Sequence, residues 1–391
     1  MADRPSASSA CPSTFLPPAS HGAQSHTSSA HDPVLLDQSQ CDEPPHPPPP
    51  SSPSPGSDLP LPHYDEEALP LRHPASPSHS EERKRKNDAS CLAVEEHRFV
   101  WDDDLEVLLE HSAHGGGSGY SREQLAAIAA HNYRLVRSGY CTDASSGTAY
   151  SLGTEGMPNR THEVSTTAQG RPLQPPHHTT RIAVARVDTA SALRALSHAG
   201  RPAAALNFAN AHHVGGGYLR GARAQEEDLC RLMPPLFSQL KQLRYPLHAN
   251  TCHYTHTWLA RAADTYEVLG PPVRVAVLSS AMPNMGGHTD TRKYDHAGSE
   301  AWRQTVRLRI RAVLHAAAEE KHETLLLGAF GCGAFRNPPD EVARAFAHVL
   351  ASHEFRGKFS TIAFAIMDPK QSDQGNFAAF RSVFHQLCSD L

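Results

Sequence analysis

The stretch Ala203-Ala204-Ala205-Leu206-Asn207-Phe208-Ala209-Asn210 reads as a buried strand, and Ala211-His212-His213-Val214 carries it into Gly215-Gly216-Gly217. A seven-residue spacer then leads to Gln225-Glu226-Glu227, which opens an apolar run with Leu229, Leu232, Met233 and Leu236 at helical spacing. The unit is therefore strand, glycine loop, helix. Three glycines in a row let main chain approach a ligand closely and adopt positive φ. The two glutamates fall in a first helical turn and, as neighbours on a helix, point about 100° apart. They cannot do the same job, and the one directed into a glycine-walled cleft is a candidate general acid. Acidic residues also offset the macrodipole in any first turn, so these carboxylates gain chemical meaning only from the loop and strand around them. Pro234-Pro235 should end the helix near Met233.

Outward from this unit, strands alternate with helices. Residues 181–187, 273–279, 324–329 and 360–367 are short, apolar and free of internal proline, and 189–198 reads as a helix. Helical stripes are formed by Trp302, Val306, Ile310, Val313 and Leu314, by Val342, Phe346, Val349 and Leu350, and by Phe377, Phe380, Val383, Phe384 and Leu387. The alternation predicts an α/β sandwich around a central sheet. Ahead of it, 121–137 is an amphipathic helix whose Ser121 and Gln124 fit a capping box. Residues 140–152 read as a hairpin and 153–180 as a polar connection, so 95–179 is expected as an accessory N-terminal helical layer and 180–391 as the catalytic domain. Residues 1–94 are dominated by Pro, Ser and His and cannot bury enough apolar surface to offset chain entropy, which predicts a disordered tail. Within that tail Arg83-Lys84-Arg85-Lys86 reads as a nuclear-localisation signal or as a solvated charge run.

Over 391 residues the formal net charge is −5, which argues against wholesale electrostatic binding of nucleic acid, though a basic groove can exist locally. The eight cysteines lie far apart with no Cys-x-x-Cys pair and no secretory signal follows Met1, so a disulfide framework is not expected and the compartment is read as reducing, nuclear or cytoplasmic. No apolar run approaches the ~18 residues of a membrane span. His248, Cys252, His253 and His256 lie close together, but their spacing matches no zinc pattern and no metal is expected.

Ligands of open α/β sheets bind beyond the carboxyl ends of the strands. Both glycine-rich loops follow such ends, the second being Gly328-Ala329-Phe330-Gly331-Cys332-Gly333-Ala334-Phe335. Gly331 and Gly333 allow successive amides to converge on an anion, and Asn337-Pro338-Pro339-Asp340 reads as the cap and first turn of the next helix, a second source of free amides. The same glycines also suit a plain strand-to-helix turn.

Residues 207–213, the triple glycine, and 221–231 with Gln225-Glu226-Glu227 intact resemble the signature of microbial-type poly(ADP-ribose) glycohydrolases. The likeness runs from about Ser121 toward the C-terminus, with Val214 standing where many relatives carry proline. It implies a macrodomain-like three-layer α/β/α sandwich that hydrolyses ribose–ribose O-glycosidic bonds in poly(ADP-ribose). Its partners would be that polymer and poly(ADP-ribosyl)ated proteins, its product ADP-ribose, and it would need no cofactor. By resemblance Glu227 is the general acid and Glu226 orients the ribose hydroxyls. Neighbouring Glu226 and the substrate diphosphate are expected to push the Glu227 pKa upward. Gly215, Gly216, Gly217 and Gln225 belong to the substrate site, Gly331, Cys332, Gly333 and Ala334 resemble the diphosphate loop, and Asn210 and Phe335 resemble residues near the distal ribose. Ile366 and Asp368 are placed toward the adenosine end. The other readings are a non-catalytic ADP-ribose reader on the same fold and a hydrolase of mono-ADP-ribosyl protein.

Overall fold

The computed structural model describes residues 97–113, 119–166, 177–368 and 374–389. The expected tail, with its basic cluster, lies outside the described residues. The first elements are β1 (Arg98–Trp101), α1 (Asp103–His111), α2 (Arg122–Ser138), β2 (Tyr140–Thr142), β3 (Ala149–Ser151) and β4 (Asn159–Glu163). Then come β5 (Thr179–Ala185), α3 (Thr189–His198), β6 (Ala204–Phe208), a 3-10 turn at Tyr218–Arg220, α4 (Gln225–Leu232) and α5 (Leu236–Leu240). The chain finishes with β7 (Thr251–Arg261), β8 (Val268–Ser280), α6 (His288–Tyr294), α7 (Glu300–Glu319), β9 (Thr324–Leu327), α8 (Pro339–Leu350), β10 (Thr361–Ala365) and α9 (Asn376–Ser389).

Eight strands make one sheet in the order β1-β5-β10-β9-β6-β8-β7-β4, parallel from β1 to β8 and antiparallel across β8-β7-β4. Strand periodicity sends alternate side chains to opposite faces. On β5, Ile182 and Val184 enter one core with the stripes of α7, α8 and α9, while Ala183 and Ala185 enter another with Leu105, Leu125, Leu193, Leu229 and Leu236 of α1 to α5. Small residues on the second face let those helices approach closely. The sheet is thus sandwiched between two helical layers.

The stretch 95–179 is not a separate layer, which corrects the expectation. β1 pairs in parallel with β5 at one edge, and β4 pairs antiparallel with β7 at the other. The hairpin forms as β2 and β3, and α2 has its capping box and ends on Gly139 at φ 75°. β8 starts earlier than expected because Pro271-Pro272 fall in the register break between Leu259 and Arg261 of β7, where no ladder donor is needed. No helix among the described residues is long and apolar enough to cross a membrane.

Candidate active site

The site is assembled by α4, which stops at Leu232 with Met233 as its C-cap ahead of the two prolines. Its first turn carries three acids and points at the carboxyl end of β6. Gln225 is a clamp. Its Oε1 accepts from Phe208 N (2.8 Å), and its Nε2 donates to Leu206 O (2.8 Å) and Thr189 Oγ1 (3.2 Å). Both ends of the amide are committed within the protein although the residue borders the cleft, so the side chain fixes the strand end.

Glu226 and Glu227 are 2% and 7% exposed. Glu226 Oε2 accepts from Asn210 N (2.8 Å), and Glu227 Oε1 accepts from Gly217 N (2.7 Å). The remaining oxygens, Glu226 Oε1 and Glu227 Oε2, are buried without a hydrogen-bond partner. Burial pushes the Glu226 carboxyl up to about 8, opposed by the hydrogen bond from Asn210 and reinforced by the neighbouring Glu227. Both carboxyls converge on Gly216. A Cβ there would overlap Glu227 Oε1 and stand 3.2 Å from Glu226 Oε2, and φ is 55°. At Gly215 a Cβ would meet the Phe237 ring at 2.7 Å, and at Gly217 the Ala222 Cβ at 2.6 Å. The triple glycine is therefore demanded first by close packing of the loop against the Glu227 carboxyl, the Phe237 ring and Ala222. Its amides are used internally as well, Gly216 N donating to His213 O and Gly217 N to Glu227.

The second loop behaves differently. Gly331, at φ 73°, is closed in by Met282 and Asn337. Asn337 does not cap α8, which corrects the sequence expectation. Its Nδ2 donates to Gly331 O (2.9 Å) and Pro283 O (2.8 Å), and its Oδ1 accepts from Trp302 Nε1 (2.9 Å), pinning the loop to the turn after β8 and to α7. The N-cap is Pro338, followed by Pro339, Asp340 and Glu341, so two N–H groups are missing and two carboxylates stand at that terminus. That helix end is no anion site. Among the described residues the main-chain N–H groups of Gly331, Gly333, Ala334 and Phe335 make no hydrogen bond. Here the amides are available to an anion, and a Cβ at Gly333 would meet nothing within 4 Å.

A cavity of about 860 Å³ lies over the carboxyl ends of β5, β10, β9 and β6. It brings together Gln225, Glu227, Gly331, Gly333, Ala334, Phe335 and Ile366. Asn210, Gly215, Gly216, Gly217, Glu226 and Cys332 do not line it. Asn210 Oδ1 accepts from His212 N (2.9 Å) and His213 N (3.0 Å), so this side chain shapes the loop, and the two histidines are held by their own main chain. The Cys332 thiol is pushed up to about 12 by burial and turns toward Phe330 O (3.6 Å). Phe335 and Ile366 do both things asked of them, lining the cavity and packing on the core. Asp368 is instead within 3.7 Å of the Arg186 guanidinium and does not line the cavity.

Sequence reasoning missed Asp188, Thr189, Asp228, Tyr266 and Asn376, all on the cavity wall. Asp188 caps α3 through Ser191 N (2.9 Å), while its Oδ2 is buried and unpartnered. An aspartate between a strand and a helix was the signal. Asp228 takes a short hydrogen bond from the Tyr266 hydroxyl, and burial raises its pKa to about 6. Nothing in the pattern marks Tyr266, which reaches the site from the β7–β8 hairpin. As for the clustered histidines, Cys252 is in the core, His253 is shared between Thr161 Oγ1 (2.7 Å) and Arg244 O (2.9 Å), and His256 meets Tyr254 and Arg274. Among the described residues no group of three or more His, Cys, Asp or Glu is placed to hold a metal.

Residues 129–260 match the family model of the microbial-type PARG catalytic domain. The structure is similar to that of poly(ADP-ribose) glycohydrolase from Thermomonospora curvata, with 31% identity over 67% of this chain and 99% of that one and a TM-score of 0.56. The same enzyme bound to the inhibitor ADP-HPD gives 32% identity over 66% and 99%, with a TM-score of 0.55. The enzyme from Deinococcus radiodurans in complex with ADP-ribose is 33% identical over 54% and 85%, at a TM-score of 0.46. No curated protein matches the sequence. With identity at this level over essentially the whole length of the Thermomonospora enzyme, the chain belongs to the microbial-type poly(ADP-ribose) glycohydrolases.

Proposed function

We infer that this protein hydrolyses the ribose–ribose O-glycosidic bonds of poly(ADP-ribose) and releases ADP-ribose, on a macrodomain-like sandwich and with Glu227 as general acid and base. One observation carries the assignment of the glutamate. Glu227 is on the cavity wall with one oxygen fixed by Gly217 N–H and the other buried and unbonded, a carboxyl held in position with one end left for substrate. Two carboxyls this close disfavour double ionisation, so the pair retains a proton at neutral pH. Glu227 delivers that proton to the leaving 2′ oxygen as the anomeric C–O bond breaks through an oxocarbenium-like state. Water then adds to the anomeric carbon and returns its proton to the Glu227 carboxylate, which restores the enzyme. Glu226 orients the adjoining ribose hydroxyls. The unpaired amides of Gly331, Gly333, Ala334 and Phe335 would hold the diphosphate, while the buried Asp188 Oδ2 offers an acceptor to the nucleoside end. The Thermomonospora relative's binding of ADP-HPD supports an ADP-ribose-shaped ligand.

Glu227→Gln tests the reading. It should bind ADP-ribose with unchanged affinity by calorimetry while turnover of purified polymer drops by ~10²–10⁴-fold, the usual worth of general acid catalysis. Turnover retained at the wild-type rate would refute the role of Glu227, and a wild-type protein that binds ADP-ribose without releasing it from polymer would be a reader instead.

A further inference from the structure

The polymer does not end at the scissile bond. On the glycohydrolase reading the released unit fills the cavity, and the retained chain begins at the oxygen protonated by Glu227, whose carboxyl is held by Gly217 N–H. Immediately beyond Gly217 the 3-10 turn leaves Leu219 60% exposed and Arg220 exposed. α2 stands directly against this turn. Asn132 Nδ2 donates to Tyr218 Oη (3.1 Å), and Gly221 approaches the Arg122 carbonyl so closely that no side chain fits between them. The solvent side of α2 exposes Arg122, Tyr133, Arg134 and Arg137, with the Arg137 guanidinium 5.9 Å from the Tyr133 ring centroid and Tyr133 62% exposed. Among the described residues none of Arg122, Arg134, Arg137 or Arg220 forms an ion pair, unlike Arg303 with Glu341 and Arg344 with Asp340. Glu123 is the only acid on α2 and the turn. In a chain of net charge −5 this is a local excess of uncompensated positive charge, interleaved with exposed flat and apolar side chains.

We propose that the flank formed by the Tyr218–Arg220 turn and the solvent side of α2 binds the segment of polymer that remains beyond the scissile bond. The inference rests on the glycohydrolase reading above. Each retained unit presents a diphosphate to Arg122, Arg137 and Arg220, and an adenine face to Tyr133 and Leu219. Guanidinium on phosphate and base on aromatic ring together suit a flexible, sequence-less polyanion. A single-stranded nucleic acid shares part of that chemistry. Continuity with the loop holding Glu227 favours the polymer, because its retained part is covalently placed at this spot.

The test is the double reversal Arg137→Glu with Arg220→Glu, two exposed residues outside the catalytic machinery. Its melting temperature and its affinity for free ADP-ribose should match wild type, since ADP-ribose occupies only the cavity. KM for long polymer should rise about tenfold with kcat unchanged, and the salt dependence of KM should flatten as phosphate contacts are lost. An unchanged KM overturns the proposal, as does loss of single-stranded DNA binding with polymer KM unaffected. If wild type fails to cleave polymer at all, the glycohydrolase reading has failed. The surface is then read directly as polymer binding by Glu227→Gln with and without the two reversals, where equal affinity overturns it.

Discussion

Glu226 and Glu227 are adjacent, yet the fold treats them differently. Glu226 is the more deeply buried, its one hydrogen bond comes from the Asn210 amide, and its carboxyl is pushed from 4.5 up to about 8. Between these two values the folded protein keeps a proton that the unfolded chain has released. Stability contributed by that proton is therefore full below about 4.5, falls as pH rises through the window, and is gone above about 8. Asp228, raised to about 6 from 3.8, acts in the same direction at lower pH. Glu226→Gln removes the titration while keeping an acceptor for Asn210 N–H, and leaves Asp228 as it was. Thermal melts of wild type and Glu226→Gln should diverge in favour of the variant from pH 5 to about 8 and stay a constant distance apart above it, by a few kcal/mol at most. A gap that stays constant over the whole range would sink the account of Glu226. Turnover by wild type should also decline as pH passes about 8, when the pair gives up the proton it retains.

At the level of elements, two loops that look alike in sequence do different work. Both are glycine-rich turns after parallel strands, and the pattern of residues alone lets main chain approach a ligand at either. Legible in the sequence were the strand–loop–helix units and the break before Pro234. What was not legible is which atoms crowd each glycine, because that depends on segments farther along the chain such as Phe237 and Met282. Asn337 was misread for the same reason, since a cap and a tertiary tie look identical in one dimension. The loops are separable by substitution. Gly216→Ala must place Cβ in the left-handed region, at about 1–2 kcal/mol, and displace Glu227 Oε1. Stability and turnover should both fall. Gly333→Val meets open space, so its melting temperature should stay within the ~0.5 kcal/mol expected of a neutral surface change while affinity for ADP-ribose drops about tenfold or more. Calorimetric titration that shows full affinity in Gly333→Val would remove this loop from the diphosphate site.

For the molecule as a whole, the parallel strands could be read because they are buried on both faces and hence continuously apolar. The two edges could not. β4, Asn159–Glu163, has no large apolar residue and is held by its ladder with β7 and by His162 lying between Glu319 and Glu320, a pairing that leaves no hydrophobic signature. β1 is only four residues long. This is why 95–179 reads as accessory although it closes both edges and supports the site, with buried Asn132 donating to the carbonyls of Cys230 and Arg231 at the end of α4. The stretch also contributes Phe99, Leu105, Leu109, Leu125 and Val164, each no more than 4% exposed. At about 1.5–3 kcal/mol for each buried side chain, these five account for roughly 10 kcal/mol. A domain's whole stability is only about 5–15 kcal/mol. Residues 180–391 expressed alone should therefore fail to melt cooperatively, bind a hydrophobic dye and show no ADP-ribose binding, whereas 95–391 should melt cooperatively, exclude the dye and bind ADP-ribose as the full chain does. A sharp calorimetric transition and intact ADP-ribose affinity in 180–391 would show that the edges are dispensable, and that the catalytic loop is held by the parallel half of the sheet alone.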